Sequence, residues 1–453
     1  MPDFYINRRQ FLYSASASLA LSMLGANGLD IIFSEKPRKV GLIGSGWYGK
    51  NDVFRLIQVA NVEITAICDV DQKHLFEAAT LISQRQKTGK KPRTYKDYRE
   101  LLAKEPLDIV VIGTPDHWHT LPAIAAMEAG AHVYLQKPTS VDMLESEAIL
   151  AAARKHQRVV QVGTQRRSTP HLMEAKQKII DSGMIGAVGH AEICCYYNMR
   201  GNGFYKKQAI PDHLDYDFWT GPAPMRSYDG LPHGRWRQFK EYGNGIVGDM
   251  CVHMLDSVRW MLNLGRPKSV RSTGGIYVQK EVSANIPDTQ NALFEFDELT
   301  VVWQHRTWGQ AADSEYPWSF ILYGENGTLK ADVRKYEYIP KDKKKQSIKG
   351  IFLNEDKLYP EEADEKRIER HAAPATRRHM LDFLAAIDKK TRPVADIEQG
   401  HISTQACIMA NLSLELNGRK LIYDHQKQRF VKDKAANKLL ARNYRGDWER
   451  PKA

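Results

Sequence analysis

The first half of the chain alternates short runs of apolar residues with longer amphipathic segments. The apolar runs have the length and composition of buried parallel strands, and they cover residues 39–43, 62–68, 108–113, 131–135 and 158–163. Segments with helical spacing lie between several of these runs, at residues 50–60, 121–129 and 143–156. Strands that alternate with helices predict a doubly wound parallel sheet with right-handed crossovers.

The second half has a different pattern, in which strand-like runs occur in adjacent pairs joined by short polar turns. One further run stands alone at residues 191–197, and the pairs are residues 291–296 with 300–305 and residues 318–323 with 328–330. Such pairs predict antiparallel hairpins. We therefore expect a second, α+β domain, with the domain boundary near residues 165–170.

A glycine-rich turn follows the first predicted strand and opens the first predicted helix. It reads Gly44-Ser45-Gly46-Trp47-Tyr48-Gly49. The first glycine permits the tight turn, the second lets backbone approach a pyrophosphate, and the third lets the helix pack on the strand. The helix N-terminus then favours the phosphate charge. This motif predicts a dinucleotide site.

An acidic residue ends the second predicted strand. Asp69 lies 20 positions after Gly49, the spacing expected for a carboxylate that bonds the adenosine ribose. Such a carboxylate repels a 2′-phosphate, and Asp71 is expected to add to the repulsion. The sequence therefore predicts NAD rather than NADP as the cofactor.

Polar residues follow the later strands of the predicted sheet. They are Thr114-Pro115-Asp116-His117-Trp118-His119, Gln136-Lys137-Pro138 and Gln165. The carboxyl ends of parallel strands share one edge of a sheet, where ligands bind. We predict no metal site at the histidines, because neutral imidazoles also serve as hydrogen-bond partners beside a cofactor.

These motifs together resemble the Gfo/Idh/MocA oxidoreductases, the family of glucose–fructose oxidoreductase and inositol dehydrogenase. The resemblance runs from about Lys39 to the C-terminus, and residues 379–444 are similar to the C-terminal region of a long, often exported bacterial subgroup. It implies a Rossmann domain over residues 38–165 and an α+β substrate domain with an open, mostly antiparallel sheet over 166–425. It also implies a tail at 426–453 that packs on the core, and a homo-oligomer formed through the open sheet.

The resemblance assigns roles to individual residues. The family's Glu-Lys-Pro motif corresponds to Gln136-Lys137-Pro138, so Lys137 is the implied catalytic lysine while Gln136 lacks the family's charge. The family's D-x-x-x-H motif corresponds to Asp249 and His253, which share one helical face at i, i+4. The loop 114–119 and Gln165 are implied cofactor contacts. The implied substrate contacts are Trp236, Arg237, Tyr242, Asp249 and His253.

Three functions fit this set of residues. The first is an NAD-dependent oxidoreductase that acts on a secondary hydroxyl of a sugar, glycoside or polyol, with Lys137 and His253 handling the proton and a tightly bound NAD taking the hydride. The second is an NAD-dependent glycosidase that works by transient oxidation and elimination. The third is a non-catalytic sugar-binding sensor.

Composition and charge argue against several other classes of protein. The net charge of +11 comes from short, scattered basic runs without interleaved aromatic residues, which argues against nucleic-acid binding. After the N-terminus no apolar run approaches the ~20 residues of a membrane-spanning helix. The 5 cysteines are an odd number without a C-x-x-C pair, so no disulfide framework is expected.

The N-terminal segment has the pattern of an export signal. Arg8-Arg9 precede Phe11-Leu12 and a short apolar stretch rich in Ala and Ser that ends near Leu24. Paired arginines before a short apolar region resemble a twin-arginine signal. We predict a signal over residues 1–30, its removal, and a periplasmic location.

Overall fold

The computed structural model describes residues 36–197, 199–201, 203–230, 235–363 and 370–452. The predicted export signal at residues 1–30 lies outside the described residues. Within the described ranges, none of the helices has the length and apolar character needed to span a membrane.

The first half forms a six-stranded parallel sheet with helices between its strands. The strands are β1 (Arg38–Ile43), β2 (Val62–Cys68), β3 (Arg93–Tyr95), β4 (Ile109–Ile112), β5 (His132–Leu135) and β6 (Val160–Val162). The helices are α1 (Trp47–Val59), α2 (Gln72–Arg85), α3 (Tyr98–Lys104), α4 (Thr120–Glu128) and α5 (Met143–Lys155). The strand order is β3-β2-β1-β4-β5-β6, and every pair is parallel. The predicted doubly wound sheet is confirmed.

Local sequence explains these elements. Strand β4, Ile-Val-Val-Ile, is buried at all four positions, as expected for a strand covered on both faces. Aspartates cap three of the helices, because their side chains accept hydrogen bonds from free backbone N–H groups of the first turn. They are Asp71 for α2, Asp97 for α3 and Asp142 for α5.

The second half forms an eight-stranded mixed sheet. Its strands are β7 (Val188–Cys195), β8 (Ser269–Gly275), β9 (Thr289–Glu295), β10 (Thr300–Arg306), β11 (Trp318–Gly324), β12 (Gly327–Asp332), β13 (Lys335–Pro340) and β14 (Ile348–Ile351). The order is β14-β13-β12-β11-β7-β10-β9-β8, and only the β7–β10 pair is parallel. This confirms a mostly antiparallel sheet.

Several helices of the second half pack on this sheet, and others return to the first half. They are α6 (Pro170–Ala175), α7 (Tyr216–Thr220), α8 (Val252–Met261), α9 (Ala373–Lys389), α10 (Ile397–Glu415) and α11 (Lys434–Asn437); a small hairpin pairs β15 (Tyr423–Asp424) with β16 (Arg429–Phe430). Met380 and Phe383 of α9 share a hydrophobic core with Val53 and Leu56 of α1. The two halves are therefore joined by packing as well as by the chain.

Candidate active site

A cavity of about 1060 Å³ opens at the carboxyl edge of the parallel sheet. Its floor contains the ends of β1 and β2 and the residues that follow β4 and β5, and residues of the second half close the opposite side. The lining includes predicted site residues from both halves: Gly44, Gly46, Trp47, Tyr48, Asp69, Thr114, Pro115, Asp116, Trp118, His119, Gln136, Lys137, Trp236, Arg237, Asp249 and His253.

The glycine-rich turn has the geometry of a phosphate cradle. Gly44 has φ +86°, and a Cβ on it would lie 2.6 Å from the backbone N of Thr114. A Cβ on Gly49 would lie 2.0 Å from the Gly44 carbonyl oxygen, so helix α1 could not pack as closely on β1. A Cβ on Gly46 would meet nothing within 4 Å, which leaves the start of α1 open to the cavity. These residues fit the pyrophosphate of NAD.

Asp69 and Asp71 have different environments. Asp69 lines the cavity, and its carboxylate accepts hydrogen bonds from the Ser45 backbone N–H at 2.8 Å and the Asp71 N–H at 2.9 Å. Asp71 is 2% exposed, caps α2 and accepts from His213 Nδ1 at 3.1 Å. The expectation that Asp71 adds to the repulsion of a 2′-phosphate is therefore corrected, because its carboxylate caps α2 and bonds His213 inside the fold.

Lys137 and Asp249 meet across the cavity although 112 positions separate them. Lys137 Nζ donates to Asp249 Oδ1 at 2.5 Å and to the Asp249 backbone carbonyl at 2.9 Å. Arg237 Nε donates to the same carboxylate at 3.3 Å. Burial raises the pKa of Asp249, but the two cations outweigh it and hold that pKa below its ordinary value. Asp249 is thus a carboxylate that holds the Lys137 ammonium.

His253 is placed beside this pair as a neutral imidazole. Burial, and then the positive charges of Lys137 and Arg166, hold the pKa of His253 well below its ordinary value. Among the residues that the structure describes, its Nδ1 atom has no hydrogen-bond partner. Asp249 lies on a π-helical turn, Val247–Cys251, which continues into α8 at Val252. Both motif side chains line the cavity.

Two predicted contacts lie behind the cavity wall. His117 is 3% exposed, its Nε2 is 3.0 Å from the Trp219 carbonyl oxygen, and its ring packs against Tyr242. Tyr242 is fully buried, with its hydroxyl 3.2 Å from that of Tyr216. The lining, as described, excludes His117 and Tyr242, so these two expectations are corrected. They are turned away because an aromatic cluster with Tyr216 and Trp219 packs behind the short 3₁₀ turn 116–118.

Other predicted residues support the lining from behind. Gln165 Nε2 donates to the Tyr48 hydroxyl at 2.8 Å, so it contacts the site through Tyr48. Ser45 bonds Asp69 by both its backbone N–H and its hydroxyl. Pro138 follows a cis peptide bond, and its carbonyl oxygen is 2.5 Å from Nδ1 of His119. Burial lowers the pKa of His119 to about 4, so its ring is neutral.

Sequence reasoning missed several lining residues of both halves. At the Asp69 end they include Lys50, His74 and Lys96, and near His253 they include Tyr197, Trp318, Arg166, Arg334 and His371. Arg166 directly follows the predicted contact Gln165, and this adjacency was an available sequence signal. Lys50 likewise directly follows Gly49 of the glycine-rich turn, whereas the others lie in segments without a recognisable motif.

The fold and this site define a class: a two-domain, dinucleotide-binding oxidoreductase with a lysine, a histidine and a carboxylate at the sheet edge. A profile of the oxidoreductase family's NAD-binding Rossmann fold matches residues 38–164. A profile of the same family's C-terminal α/β domain matches residues 172–280 and 341–450. The chain belongs to the Gfo/Idh/MocA oxidoreductase family, and its first half carries the NAD-binding fold.

Two curated relatives each resemble about a third of the chain. The inositol 2-dehydrogenase/D-chiro-inositol 3-dehydrogenase of Lactiplantibacillus plantarum is 33% identical over 150 residues, 33% of this chain and 41% of that protein. A glycosyl hydrolase family 109 protein of Shewanella baltica is 31% identical over 176 residues, 34% of this chain and 38% of that protein. The matches thus span about two fifths of the relatives' length.

Solved structures share the fold over most of the chain. A levoglucosan dehydrogenase in complex with NADH and levoglucosan has a TM-score of 0.65 at 18% identity, covering 85% of this chain and 99% of that one. An inositol dehydrogenase homologue from Azotobacter vinelandii, complexed with NADH and myo-inositol, has a TM-score of 0.62 at 18% identity, covering 86% and 98%. At these identities the likeness concerns the fold.

Proposed function

We propose that this protein is an NAD-dependent oxidoreductase that acts on a secondary hydroxyl of a sugar, glycoside or polyol. The observation that carries the proposal is the meeting of Lys137, Asp249 and His253 in one cavity with the glycine-rich turn. The sugar and polyol dehydrogenases with the same fold support the substrate class.

The chain's own residues supply proton handling and charge stabilisation. A bound NAD, held by the glycine-rich turn and Asp69, would supply the acceptor for the hydride of the carbon that carries the hydroxyl. His253 is neutral and can accept the hydroxyl proton at a ring nitrogen. The Lys137 ammonium, held by Asp249, donates an N–H hydrogen bond from Nζ to the oxygen on which negative charge develops and so stabilises it. In the reverse direction the protonated His253 ring returns the proton to that oxygen, which Lys137 again stabilises.

Replacement of the lysine tests this assignment. Lys137→Met keeps the length of the side chain and removes the ammonium, so we expect sugar-dependent reduction of bound NAD to fall by about 10²–10⁴-fold. NAD binding should persist, because the glycine-rich turn and Asp69 are unchanged. The measurement is nicotinamide absorbance after addition of a panel of sugars, with NAD content determined separately.

A matched control uses a lysine outside the cavity. Lys104→Met removes an exposed ammonium that pairs with Glu100 on α3, and it should leave the reduction rate at the wild-type value. Reduction at the wild-type rate in Lys137→Met would contradict the proposed chemistry. Failure of every sugar to reduce NAD in the wild type, together with no release of aglycone from aryl glycosides, would favour a non-catalytic sensor.

A glycosidase is the second candidate, because the Shewanella baltica relative is a glycosyl hydrolase family 109 protein. In that reaction the NAD is reduced and reoxidised within one turnover, so no net reduction accumulates. Assay of aryl glycosides against free sugars separates the two functions. Release of the aglycone without net reduction of NAD would support the glycosidase.

A further inference from the structure

Asp116 lines the cavity with a carboxyl group that has no partner in the described parts of the protein. It follows β4, it is 4% exposed, and it begins the turn 116–118. Its carboxyl oxygens accept no hydrogen bond and form no ion pair in the ranges that the structure describes. The Asp249 carboxylate, by contrast, is bound by Lys137 and Arg237. Buried polar groups are as a rule hydrogen-bonded, so the Asp116 carboxyl group indicates a donor on a bound ligand.

The second half of the chain packs directly against this carboxyl group. The backbone N–H of His117 donates to the Tyr242 carbonyl oxygen at 3.3 Å, which ties the turn 116–118 to the segment around Tyr242. A Cβ on Gly243 would lie 3.2 Å from Asp116 Oδ2 and 3.2 Å from the Trp236 ring. Asp116 therefore lies beside Trp236, which is one of the substrate contacts that the family resemblance implies.

The charged groups of the candidate active site also act on Asp116. Burial raises the pKa of Asp116 to about 7, and the largest opposing effect is the positive charge of Arg237. The charges of Asp249 and Lys137 follow in size, and such effects decrease with distance. Arg237 lines the cavity, with its guanidinium carbon 4.2 Å from the centre of the Trp236 ring. A hydrogen-bond acceptor, Asp116, and a donor, Arg237, thus both lie near the Trp236 ring.

We propose that Asp116 positions the substrate by accepting a hydrogen bond from a hydroxyl next to the one that is oxidised, so that the preferred substrate carries a vicinal diol. A sugar hydroxyl can donate to Asp116 while it accepts from Arg237. The reacting hydroxyl lies at Lys137 and His253, so a second contact on its neighbour fixes its orientation. This inference rests on the proposed function for the place of the reacting hydroxyl, and it assigns Asp116 to the substrate rather than to the cofactor.

Binding, measured apart from turnover, tests the proposal. The NAD-loaded protein is titrated calorimetrically with glucose, galactose, mannose and myo-inositol, and then with the monodeoxy derivatives of the compound that binds most tightly. Asp116→Asn keeps the size of the side chain and removes its charge, so we expect the parent compound to bind about 10-fold or more weakly to this variant. A site that bonds a hydroxyl rejects the analogue without it, so the wild type should also bind the matching deoxy derivative about 10-fold or more weakly.

The loss from the substitution and the loss from the missing hydroxyl should be coupled. Asp116→Asn should not weaken the matching deoxy derivative further, because the hydroxyl that the carboxylate binds is already absent. Gly243→Ala removes no polar group, but its Cβ would press on Asp116 Oδ2, so it should weaken the parent compound with the same dependence on that hydroxyl. Asp297→Asn, on an exposed side chain that pairs with Lys268 between β9 and β10, is the matched control and should leave every affinity unchanged.

The outcomes separate this inference from the proposed function. Affinities that Asp116→Asn leaves intact, an equal loss for the parent and all its deoxy derivatives, or no binding of any of these compounds by the wild type overturns the inference. Loss of NAD rather than of sugar affinity in Asp116→Asn also overturns it and assigns Asp116 to the cofactor. In each of these cases, Lys137-dependent reduction of NAD by a sugar would still support the oxidoreductase. Conversely, hydroxyl-specific binding through Asp116 without any reduction of NAD would support the Asp116 contact and contradict the oxidoreductase.

Discussion

Gln136 is hydrogen-bonded to a buried carboxyl group, that of Asp52. It stands where the family pattern has a glutamate, and its Nε2 donates to Asp52 Oδ2 at 2.7 Å inside the protein. A carboxyl group thus lies next to position 136 on Asp52 of α1, which is 1% exposed. Burial raises the pKa of Asp52 to about 8, against the opposing effects of the Gln136 bond and the Arg55 charge.

Restoring the family's glutamate should harm this protein. Gln136→Glu places two carboxyl groups at hydrogen-bond distance, where both cannot be ionised without a large cost. We expect the free energy of unfolding to fall by about 1–3 kcal/mol, and NAD to bind more weakly. Adding Asp52→Asn restores one amide and one carboxyl group with their positions exchanged, and should recover most of the loss. Denaturant unfolding of both single variants and the double variant measures this coupling; independent, additive effects would contradict it.

The same pair predicts a pH dependence of stability. Because the pKa of Asp52 is about 8 in the folded protein and 3.8 when unperturbed, the unfolded chain releases this proton first as pH rises. The stabilisation that comes from holding this proton on Asp52 in the folded protein is therefore lost as the pH rises from about 4 to about 8. Asp52→Asn removes it, so wild-type stability should decrease relative to the variant over that range. A constant difference across the range would exclude this assignment.

Asp69 governs the choice between the two dinucleotides. It lines the cavity at the end of β2, where its carboxylate and a 2′-phosphate would form a like-charge contact that costs several kcal/mol. We expect NAD to bind at least about 100-fold more tightly than NADP. Asp69→Ser should reduce this ratio, since Lys96 and His74 also line that end. Asp71→Asn is the control and should leave the ratio unchanged, because its side chain faces α2. Equal affinities of the wild-type protein for NAD and NADP would refute the prediction.

Among the elements, the short turn Asp116–Trp118 depends on a segment far away in sequence. The Trp118 ring packs edge-on against Trp448 of the C-terminal tail, with ring centres 4.9 Å apart, and against Phe218. Its Nε1 donates to the Trp219 carbonyl oxygen at 2.8 Å. Trp448 in turn stacks on Phe218 at 5.7 Å. The tail therefore supports a turn whose Asp116 lines the cavity.

Loss of this aromatic contact should affect both stability and activity. Trp448→Ala should lower the free energy of unfolding by about 2 kcal/mol, because it removes packing from two rings. It should also lower the rate of sugar-dependent NAD reduction, since the turn that carries Asp116 is less firmly held. Phe76→Ala is the matched control on a side chain that is 65% exposed, with an expected change within about 0.5 kcal/mol. Equal effects of the two substitutions would contradict a supporting role of the tail.

For the whole molecule, we propose export in the folded state with NAD already bound. The proposal rests on Arg8-Arg9 and the short apolar stretch that follows. Free NAD is scarce outside the cytoplasm, so an exported enzyme that folds first would carry a tightly held cofactor and reset it within the protein. The homo-oligomer expected through the open sheet stays a prediction.

Replacement of Arg8 and Arg9 tests the proposed twin-arginine export route. Arg8→Lys with Arg9→Lys keeps the charge but removes the paired guanidinium groups, and should leave the uncleaved precursor in the cytoplasm. Arg93→Lys with Arg99→Lys, both on exposed side chains of the folded part, is the control and should be exported normally. Cell fractionation with detection of precursor and mature forms gives the answer. Unchanged export of the first variant would refute a twin-arginine signal.

The sequence by itself determined the parallel sheet, the glycine-rich turn and Asp69 at the end of β2. These features depend on local rules: hydrophobic periodicity, turn chemistry and short fixed spacings along one chain segment. The exception in this sheet is β3, which was not predicted because it has three residues and two of them are exposed. So short a strand has no apolar pattern, and it forms because β2 offers it a free edge.

Only the tertiary structure decided which of the candidate residues meet. Lys137 and Asp249 are paired across 112 positions, and Gln136 and Asp52 across 84. His117 belongs to a motif, yet the aromatic cluster behind its turn directs it away from the cavity. Side-chain direction in loops and at a π-helical turn depends on how the two halves pack, because irregular backbone has no fixed repeat that assigns a face to each residue.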